Sequence, residues 1–388
     1  MPPSHELPAR ARVVIVGGGV IGVSTAFHLA EAGVTDILLL EADALGSGST
    51  SKAAGGVRAQ FSDQVNIELG LRSLEALAAF GRRPGGQIDL QQVGYLFLLD
   101  DPATVRAFEQ NVALQNSLGV PSRIISPAEA AALSPLISTD GVLAAAYSPT
   151  DGHCTPEAVV LGYASAARRL GARLVTGAAV TEITAGPGPA EFTVTVAGQT
   201  IAAETVICAA GAWSRQVGDW AGVDLPVTPL RRQIVVTEPV PGLPADLPMT
   251  IDFATSLYYH REGPGLLIGM SDPDETPGFQ LNRSDDWLPR LGDAMLRRAP
   301  RLAEFGIASG WAGLYEVSPD HNGLVGQAEP AGRFLYATGF SGHGFLMAPA
   351  LGEVMRDLYL GRTPAVDVSP LDARRFAANA ARPELNIV

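Results

Sequence analysis

The stretch that most constrains the fold of this chain is ARVVIVGGGVIGVSTAFHLAEAG, residues 11–33. It opens with four β-branched residues, Val13–Val16, which are typical of a strand buried on both faces. Three glycines follow, and after them comes a helical pattern of apolar residues that ends at Gly33. A second apolar run, DILLLE, begins at Asp36. Strand, glycine turn, helix and strand within about 30 residues predict a βαβ unit, and therefore an α/β fold with a parallel sheet.

The glycines of this unit have the spacing Gly17-x-Gly19-x-x-Gly22. The first permits a tight turn, the second lets the backbone approach a pyrophosphate, and the third lets the helix pack on the strand. The helix N-terminus then presents partial positive charge to the phosphates. Glu41 ends the second predicted strand, where its carboxylate can accept hydrogen bonds from both ribose hydroxyls and would repel a 2′-phosphate. The pattern predicts a dinucleotide site without separating FAD from NAD.

The stretch that follows this acid, GSGSTSKAAGGVR (residues 46–58), is rich in glycine and hydroxyl side chains. A nicotinamide dehydrogenase usually continues its alternation of strands and helices at this point. Backbone N–H groups and serine or threonine hydroxyls are instead the donors that a diphosphate needs. The stretch therefore favours a loop laid along the pyrophosphate and the flavin ring of FAD. It also contains Lys52, the only lysine in the sequence.

Composition limits the classes of protein that remain. A chain of 388 residues with 47% apolar and 17% charged residues can form two packed domains. Its formal net charge of −13 opposes binding to nucleic acid and to anionic membranes, because phosphates repel an acidic surface. The cysteines, Cys154 and Cys208, are too few for a disulfide framework, and no cysteine–histidine cluster indicates a metal. Without a signal-peptide pattern or an apolar run of about 20 residues, the sequence predicts a cytoplasmic protein with no membrane partner.

The α/β pattern is interrupted twice along the chain. Alternating apolar residues in VGYLFLLD, and again between LRRQIVVTEP and GLLIGMSD, are typical of antiparallel strands. We therefore expect an α/β chain, α+β overall, in which a Rossmann-like FAD-binding domain is interleaved with a substrate-binding domain built on an antiparallel sheet. The FAD-binding domain is predicted over 1–90, 150–228 and 306–388, and the substrate-binding domain over 91–149 and 229–305.

Seven segments carry a family resemblance: VVIVGGGVIGVSTAFHLAEAG, LLLEAD, GSGSTSKAAGGVR, DGHCTPEAV, VICAAGAWS, GLYEVSPDHNGLVG and ATGFSGHGFLMAPALGE. In this order they resemble the superfamily of FAD enzymes that contains D-amino-acid oxidase, glycine oxidase and sarcosine oxidase. The branch of sarcosine oxidases and amine dehydrogenases is the most similar. The resemblance spans nearly the whole chain, and the GFSGHGF block is specific to that branch.

The resemblance implies which residues bind FAD. They are Gly17, Gly19, Val20, Ile21, Gly22, Glu41, Ala42, Ser49, Thr50, Lys52, Ala54, Gly55, Gly56, Val57, Val180, Ala210, Gly211, Trp213, Gly339, Gly342, His343, Gly344, Phe345 and Leu346. The helix that follows His343 is expected to direct its N-terminus at the pyrimidine edge of the flavin. A positive helix dipole there stabilises the anionic reduced flavin.

The same resemblance implies a set of substrate-positioning residues without an obligatory acid or base. Arg58 matches a family arginine that faces the substrate and pairs with a carboxylate, a task that suits the guanidinium fork. Tyr258 and Tyr259 point to opposite sides of a predicted strand, so one of them, assigned as Tyr258, is expected to face the active site. His343 lies between two glycines of the flavin loop and completes the set.

Three positions depart from the family pattern. Gly313 stands where a cysteine tethers the flavin in monomeric sarcosine oxidases, which predicts non-covalent FAD. Leu346 replaces a lysine that helps to bind the substrate carboxylate. A further lysine, linked in the family to reaction with oxygen, falls near Leu267. These departures put oxidase activity by the family's route in doubt.

The predicted function is FAD-dependent oxidation of the C–N bond of a small amino acid or a secondary or N-alkyl amine. Hydride passes to flavin N5, the resulting imine hydrolyses, and oxygen reoxidises the flavin to give hydrogen peroxide. One alternative is a dehydrogenase of the same fold that passes electrons to a quinone or a partner subunit. Others are a flavin-binding assembly protein without turnover and a nicotinamide dehydrogenase. The sequence decides neither whether the protein forms a homo-oligomer nor whether it has a partner subunit.

Overall fold

The computed structural model describes residues 7–186, 192–328 and 333–387. The α-helices of these ranges are α1 Val20–Glu31, α2 Gln64–Ala78, α3 Pro102–Ser117, α4 Pro127–Leu133, α5 Pro156–Arg169, α6 Ser214–Ala221, α7 Leu288–Arg298 and α8 Gly344–Tyr359. The strands are β1 Arg10–Val16, β2 Ile37–Leu40, β3 Gly56–Val57, β4 Tyr95–Leu99, β5 Arg123–Ile125, β6 Ala144–Ser148, β7 Gly152–His153, β8 Arg173–Val175, β9 Val180–Ala185, β10 Phe192–Val196, β11 Gln199–Cys208, β12 Thr228–Thr237, β13 Met249–Asp252, β14 Leu257–Glu262, β15 Gly265–Met270, β16 Ile307–Val317, β17 Leu324–Gln327 and β18 Phe334–Thr338.

The first sheet is built around β1. Its strand order is β17-β18-β11-β1-β2-β8, and β1 pairs in parallel with both β11 and β2. The strands β9, β10 and β17 add antiparallel pairs at its margins. The β1–α1–β2 segment is the predicted βαβ unit, so the α/β class inferred from residues 11–41 is confirmed.

The second sheet has the order β16-β12-β15-β14-β13-β4-β6-β5. Its pairs are antiparallel except for β13 with β4, which agrees with the alternating pattern of these segments. One predicted boundary needs correction. Residues from 306 onward were assigned to the FAD-binding domain, but β16 pairs with β12 from Thr228↔Val317 to Thr237↔Ile307. The chain therefore returns to the first sheet only after Val317, because β16 completes the edge of the second sheet.

Helices α1 and α8 pack against each other on one face of the first sheet, and each begins at the same cavity. Their contact is close because Gly352 of α8 has no side chain. A Cβ at Gly352 would overlap Ser24 Oγ and would lie 2.5 Å from His28 Nδ1. His28 is buried in α1, where its Nδ1 lies 2.8 Å from the Ser24 carbonyl oxygen. Burial lowers the pKa of His28 to about 3, so the contact is made by a neutral imidazole.

We expect Gly352→Ala to destabilise the protein by about 1–3 kcal/mol, because the added methyl group overpacks the α1–α8 contact. Gly292→Ala is the matched control. Gly292 also lies inside a helix, α7, but a Cβ there would meet nothing within 4 Å. The control should be stabilised by up to about 1 kcal/mol through helix propensity. Urea unfolding curves measure both changes, and equal stabilities for the two variants would contradict the packing argument.

Candidate active site

A cavity of about 550 Å³ lies between the two sheets, within the usual range for small-molecule sites. Its wall combines the turn after β1, the loop of residues 46–58, the start of α8 and one face of the second sheet. Of the residues predicted to bind FAD, only Gly22, Val57 and Gly339 do not line it. Val57 is buried in the short β3–β7 pair, and Gly339 packs against Leu324 beneath the α8 turn.

Two positions at the turn after β1, Gly17 and Gly22, require glycine. Gly17 has φ +109°, and a Cβ there would overlap the carbonyl oxygen of Ala209. A Cβ at Gly22 would overlap the carbonyl oxygen of Gly17, so Gly22 serves helix packing and not the cavity wall. Gly19 is the N-cap of α1 and has no side chain to bond the first helical N–H groups. The helix N-terminus therefore faces the cavity with donors available to an anion.

Glu41 lies at the carboxyl end of β2 and lines the cavity. Its Oε2 accepts a hydrogen bond from the Gly18 N–H at 2.6 Å, and its Oε1 accepts one from the Asp43 N–H at 2.9 Å. These bonds hold the carboxylate in one orientation. Each oxygen keeps a second lone pair, so the group can still accept hydrogen bonds from ribose hydroxyls.

The loop of residues 46–58 joins the two sheets. Thr50 Oγ1 accepts a hydrogen bond from the Val20 N–H at 3.2 Å and so ties the loop to the start of α1. The indole N–H of Trp311, on β16, donates to the Lys52 carbonyl oxygen at 3.0 Å. Ser49 lines the cavity, and its buried Oγ has no hydrogen-bond partner among the described residues. An orphaned hydroxyl beside a helix N-terminus fits the diphosphate of a dinucleotide.

Gly313 also lines the cavity, directly across from this loop. A Cβ at position 313 would lie 2.5 Å from the Cβ of Lys52. A cysteine there, as in the enzymes with tethered flavin, would require Lys52 to move. Gly313 therefore allows this close approach, and the non-covalent binding of FAD stays a prediction from the sequence.

The N-terminus of α8 forms another part of the wall. His343 is the N-cap, and its side chain does not bond the first N–H groups of the helix. Gly342 has φ +102°, and a Cβ there would lie 2.6 Å from the Tyr315 ring. Like α1, α8 therefore presents its positive end to the cavity.

Arg58 and His343 form a buried pair in the cavity wall. Arg58 Nη2 lies 3.2 Å from His343 Nε2 and donates to the Asn386 carbonyl oxygen at 2.7 Å, while Nη1 donates to the Gln60 carbonyl oxygen. Because a guanidinium can only donate, His343 Nε2 accepts and the ring proton lies on Nδ1. Burial, and then the charge of Arg58, keep the pKa of His343 well below its usual value. Much of the hydrogen-bonding capacity of Arg58, predicted to serve a substrate carboxylate, is thus already used within the protein.

Adjacent tyrosines on β14 have different environments, as strand alternation requires. Tyr258 lines the cavity, whereas Tyr259 lies in a hydrophobic core with its hydroxyl 2.8 Å from Ser134 Oγ. Sequence reasoning missed two further cavity tyrosines, Tyr95 on β4 and Tyr315 on β16. Burial raises the pKa of both phenols, so both are neutral. Their only sequence signal was an aromatic residue in an apolar strand, which is also typical of an ordinary core.

Sequence reasoning also missed two buried acids. Glu316 lines the cavity and accepts a hydrogen bond from Thr338 Oγ1 at 3.0 Å. Asp151 accepts bonds from the Ala59 N–H and from Gln60 Nε2, each at 3.2 Å. Burial raises the pKa of Glu316 to about 7 and that of Asp151 to about 7. Both carboxyl groups therefore hold a proton in mildly acidic solution.

The described residues offer neither a metal site nor a membrane-spanning helix. They contain no group of three or more His, Cys, Asp or Glu side chains arranged to hold a metal ion. Within the same ranges, no helix is both long enough and apolar enough to cross a membrane.

A glycine turn at the end of a central parallel strand, an acid at the end of the next strand and two helix N-termini around one cavity define a dinucleotide-binding protein. The second, largely antiparallel sheet closes the cavity from the other side. Comparison with known proteins gives the family. Residues 12–358 match the family described as FAD dependent oxidoreductase, DAO, and the chain belongs to that family. The predicted cofactor, FAD, is thereby confirmed.

Similar proteins cover almost the whole of this chain. It is 32% identical to mouse (Mus musculus) mitochondrial dimethylglycine dehydrogenase over 96% of its length and 45% of the relative. It is 29% identical to 4-methylaminobutanoate oxidase (formaldehyde-forming) of Paenarthrobacter nicotinovorans over 97% of its length and 47% of the relative. The crystal structure of L-proline dehydrogenase from P. horikoshii matches 97% of this chain and 100% of that chain with a TM-score of 0.90 and 32% identity. The chain thus spans about half the length of the two curated relatives and the full length of the crystallised chain.

We expect Ser49→Ala to weaken FAD binding by about 10-fold or more, because a hydrogen bond to a charged diphosphate is lost. Ser51→Ala is the matched control, since Ser51 belongs to the same loop but does not line the cavity. Titration of the apoproteins with FAD, followed by flavin fluorescence, measures both affinities. Equal affinities for the two variants would contradict the assignment of Ser49 to the diphosphate.

Glu316 should make the apoprotein less stable as the pH rises. Its folded-state pKa of about 7 exceeds the ordinary value of 4.5, so the folded protein holds a proton that the unfolded chain releases between these values. The stability that the protonated Glu316 contributes is fully present below pH 4.5. It is lost between pH 4.5 and pH 7, at about 1.4 kcal/mol per pH unit. Glu316→Gln should remove this contribution, so its slope should be less negative than that of the wild type by about 1.4 kcal/mol per pH unit, measured by urea unfolding at pH 5, 6 and 7. Glu204→Gln, at a carboxylate that is 45% exposed, should keep the wild-type slope, and an unchanged slope in Glu316→Gln would refute the assignment.

Proposed function

We propose that this protein oxidises the C–N bond of a small amino acid whose nitrogen is secondary or tertiary. The relatives are named for dimethylglycine, 4-methylaminobutanoate and L-proline, which share a carboxylate and an alkylated nitrogen. The observation that carries the proposal is the composition of the cavity beyond the predicted FAD residues. There the second sheet contributes Tyr95, Tyr258 and Tyr315, and Arg58 lies in the adjoining wall. Aromatic walls with a nearby cation suit a small, partly apolar anion.

FAD, held without a covalent bond by the glycine turn, Glu41 and the loop of residues 46–58, supplies the acceptor for a hydride from the carbon beside the nitrogen. Loss of the hydride leaves an iminium ion, from which the product of a secondary amine can release a proton to give an imine, and water hydrolyses either product. The protein's own contribution is to bind and orient the amine and to exclude water. The positive N-terminus of α8 favours negative charge at the part of the cavity where it begins.

The cavity also selects the protonation state of the substrate. His343 is neutral, with Nε2 engaged by Arg58, so the pair offers no free base at that nitrogen. The positive charge of Arg58 disfavours an ammonium nearby and favours a carboxylate. The neutral amine keeps the nitrogen lone pair that must assist departure of the hydride. Positioning by Arg58, Tyr258 and His343, without an acid or base, is therefore our assignment for the substrate side.

The electron acceptor is either oxygen, giving hydrogen peroxide, or another acceptor such as a quinone or a partner subunit. Leu346 lines the cavity and Leu267 lies in the adjacent core, and by the family resemblance two lysines are expected at Leu346 and near Leu267. With no cation at either position, the dehydrogenase alternative is favoured over the oxidase. Lys52 lines the cavity and is the one lysine that could take part in reoxidation.

Under anaerobic conditions, we expect sarcosine, dimethylglycine or L-proline to bleach the flavin absorbance of the purified holoprotein. Glycine should bleach it more slowly than sarcosine, because its nitrogen carries no alkyl group. Bleached samples are then mixed with oxygen or with an artificial acceptor, and the faster reoxidation identifies the acceptor class. Acid precipitation should release all FAD into the supernatant. If the protein binds FAD but no amine or amino acid bleaches its flavin, the result would support the alternative of an assembly protein without turnover.

A further inference from the structure

Arg232 is the one cation that the second sheet contributes to the lining of the cavity, all of which lies within the described ranges. It lies on β12, directly across from Gly313 of β16. Ile234 follows it on the same face of β12 and also lines the cavity. Arg232 therefore belongs to the wall that faces the FAD residues.

The hydrogen bonds of Arg232 leave its guanidinium without an anion. Nη1 donates to the Arg231 carbonyl oxygen at 3.0 Å, and the buried Nε has no partner among the described residues. The group lies over the Tyr315 ring, 5.1 Å from its centroid. Within the part of the chain that the structure describes, no carboxylate is within ion-pair distance of it. A half-buried cation without an anion is unfavourable, and a bound carboxylate would remove that penalty.

The adjacent arginine on this strand, Arg231, forms an ion pair within the protein. Arg231 points to the opposite face of β12, where its Nε lies 2.7 Å from Glu275 Oε2. Its Nη1 also donates to the Asn282 carbonyl oxygen at 2.7 Å. Arg231 therefore has its counter-ion within the protein, whereas Arg232 has none.

Arg58, the other arginine in the cavity wall, is less available. Its two Nη atoms contact the Gln60 and Asn386 carbonyl oxygens and the ring of His343. The Phe61 ring packs against it with the centroid 4.1 Å from Cζ. These contacts suit a residue that positions His343 and the segment around Asn386.

We infer that Arg232 binds the carboxylate of the substrate, and that Arg58 acts as a positioning residue for His343. The inference rests on the proposed function, since it names the group that anchors its carboxylated amine. Tyr315, stacked beneath the guanidinium, holds it in place. A carboxylate paired with Arg232 would orient the amine from the side of the second sheet, while FAD is held by the first.

Methoxyacetate tests this inference without turnover, because it has the carboxylate and length of an N-methyl amino acid but an ether in place of the amine. Its dissociation constant is measured from the perturbation of the flavin absorbance of the holoprotein. We expect Arg232→Gln to raise that constant by about 10- to 100-fold, since charge-assisted hydrogen bonds are lost. Arg232→Lys should raise it less, because it keeps the charge without the fork. The matched control Arg231→Gln should remain within about 3-fold of wild type, and 2-methoxyethanol, which lacks the carboxylate, should bind all four proteins alike.

Four results would overturn the inference. They are an unchanged constant in Arg232→Gln, an equal loss in Arg231→Gln, no perturbation of the wild-type flavin by methoxyacetate, or loss of FAD from both Arg232 variants. The amine panel keeps the two proposals separate. If methoxyacetate binding depends on Arg232 but no amine bleaches the flavin, the proposed function fails and the carboxylate site stands. If amines bleach the flavin but methoxyacetate binding does not depend on Arg232, only the inference fails.

Discussion

The structure depends on the close approach of three backbone segments at the glycine turn. Gly17 packs against the carbonyl of Ala209 at the end of β11, and Gly22 packs against the carbonyl of Gly17. Only residues without side chains allow β1, α1 and β11 to meet so closely. The contact directs the N-terminus of α1 at the cavity. Helix α8, which packs on α1 through Gly352, then brings a second positive helix end to the same cavity.

The charges around the cavity divide between the two sheets in a way that suits the chemistry. The first sheet provides Glu41 for ribose and unpaired donors such as Ser49 for a diphosphate. On the substrate side, Arg58 and Arg232 are cations without a carboxylate partner among the described residues, and burial keeps His343 neutral. This environment favours a carboxylate and an uncharged amine together. That combination is what hydride loss from an amino acid requires.

Much of this site could be read from the sequence, and the residues that were missed have a common origin. The glycine turn, Glu41, the loop of residues 46–58 and the start of α8 were all predicted, and nearly all of them line the cavity. Strand alternation predicted that one of Tyr258 and Tyr259 faces the cavity, and the structure shows that Tyr258 lines it. Tyr95, Arg232, Tyr315 and Glu316 were missed, since each lies on a strand whose partners are distant in sequence. The same cause displaced the domain boundary at 306, because nothing local reveals that β16 pairs with β12.

By itself, the sequence determined the FAD-binding half of the protein and its family. A tight turn, a helix N-terminus and an acid at a strand end each depend on a few neighbouring residues. Their requirements are therefore visible as a local sequence pattern. Only the tertiary structure decided which side chains form the substrate wall. Side chains alternate across a strand, so whether Arg232 or Arg231 reaches the cavity depends on how β12 is registered between β15 and β16. That register is set by packing across the whole second sheet.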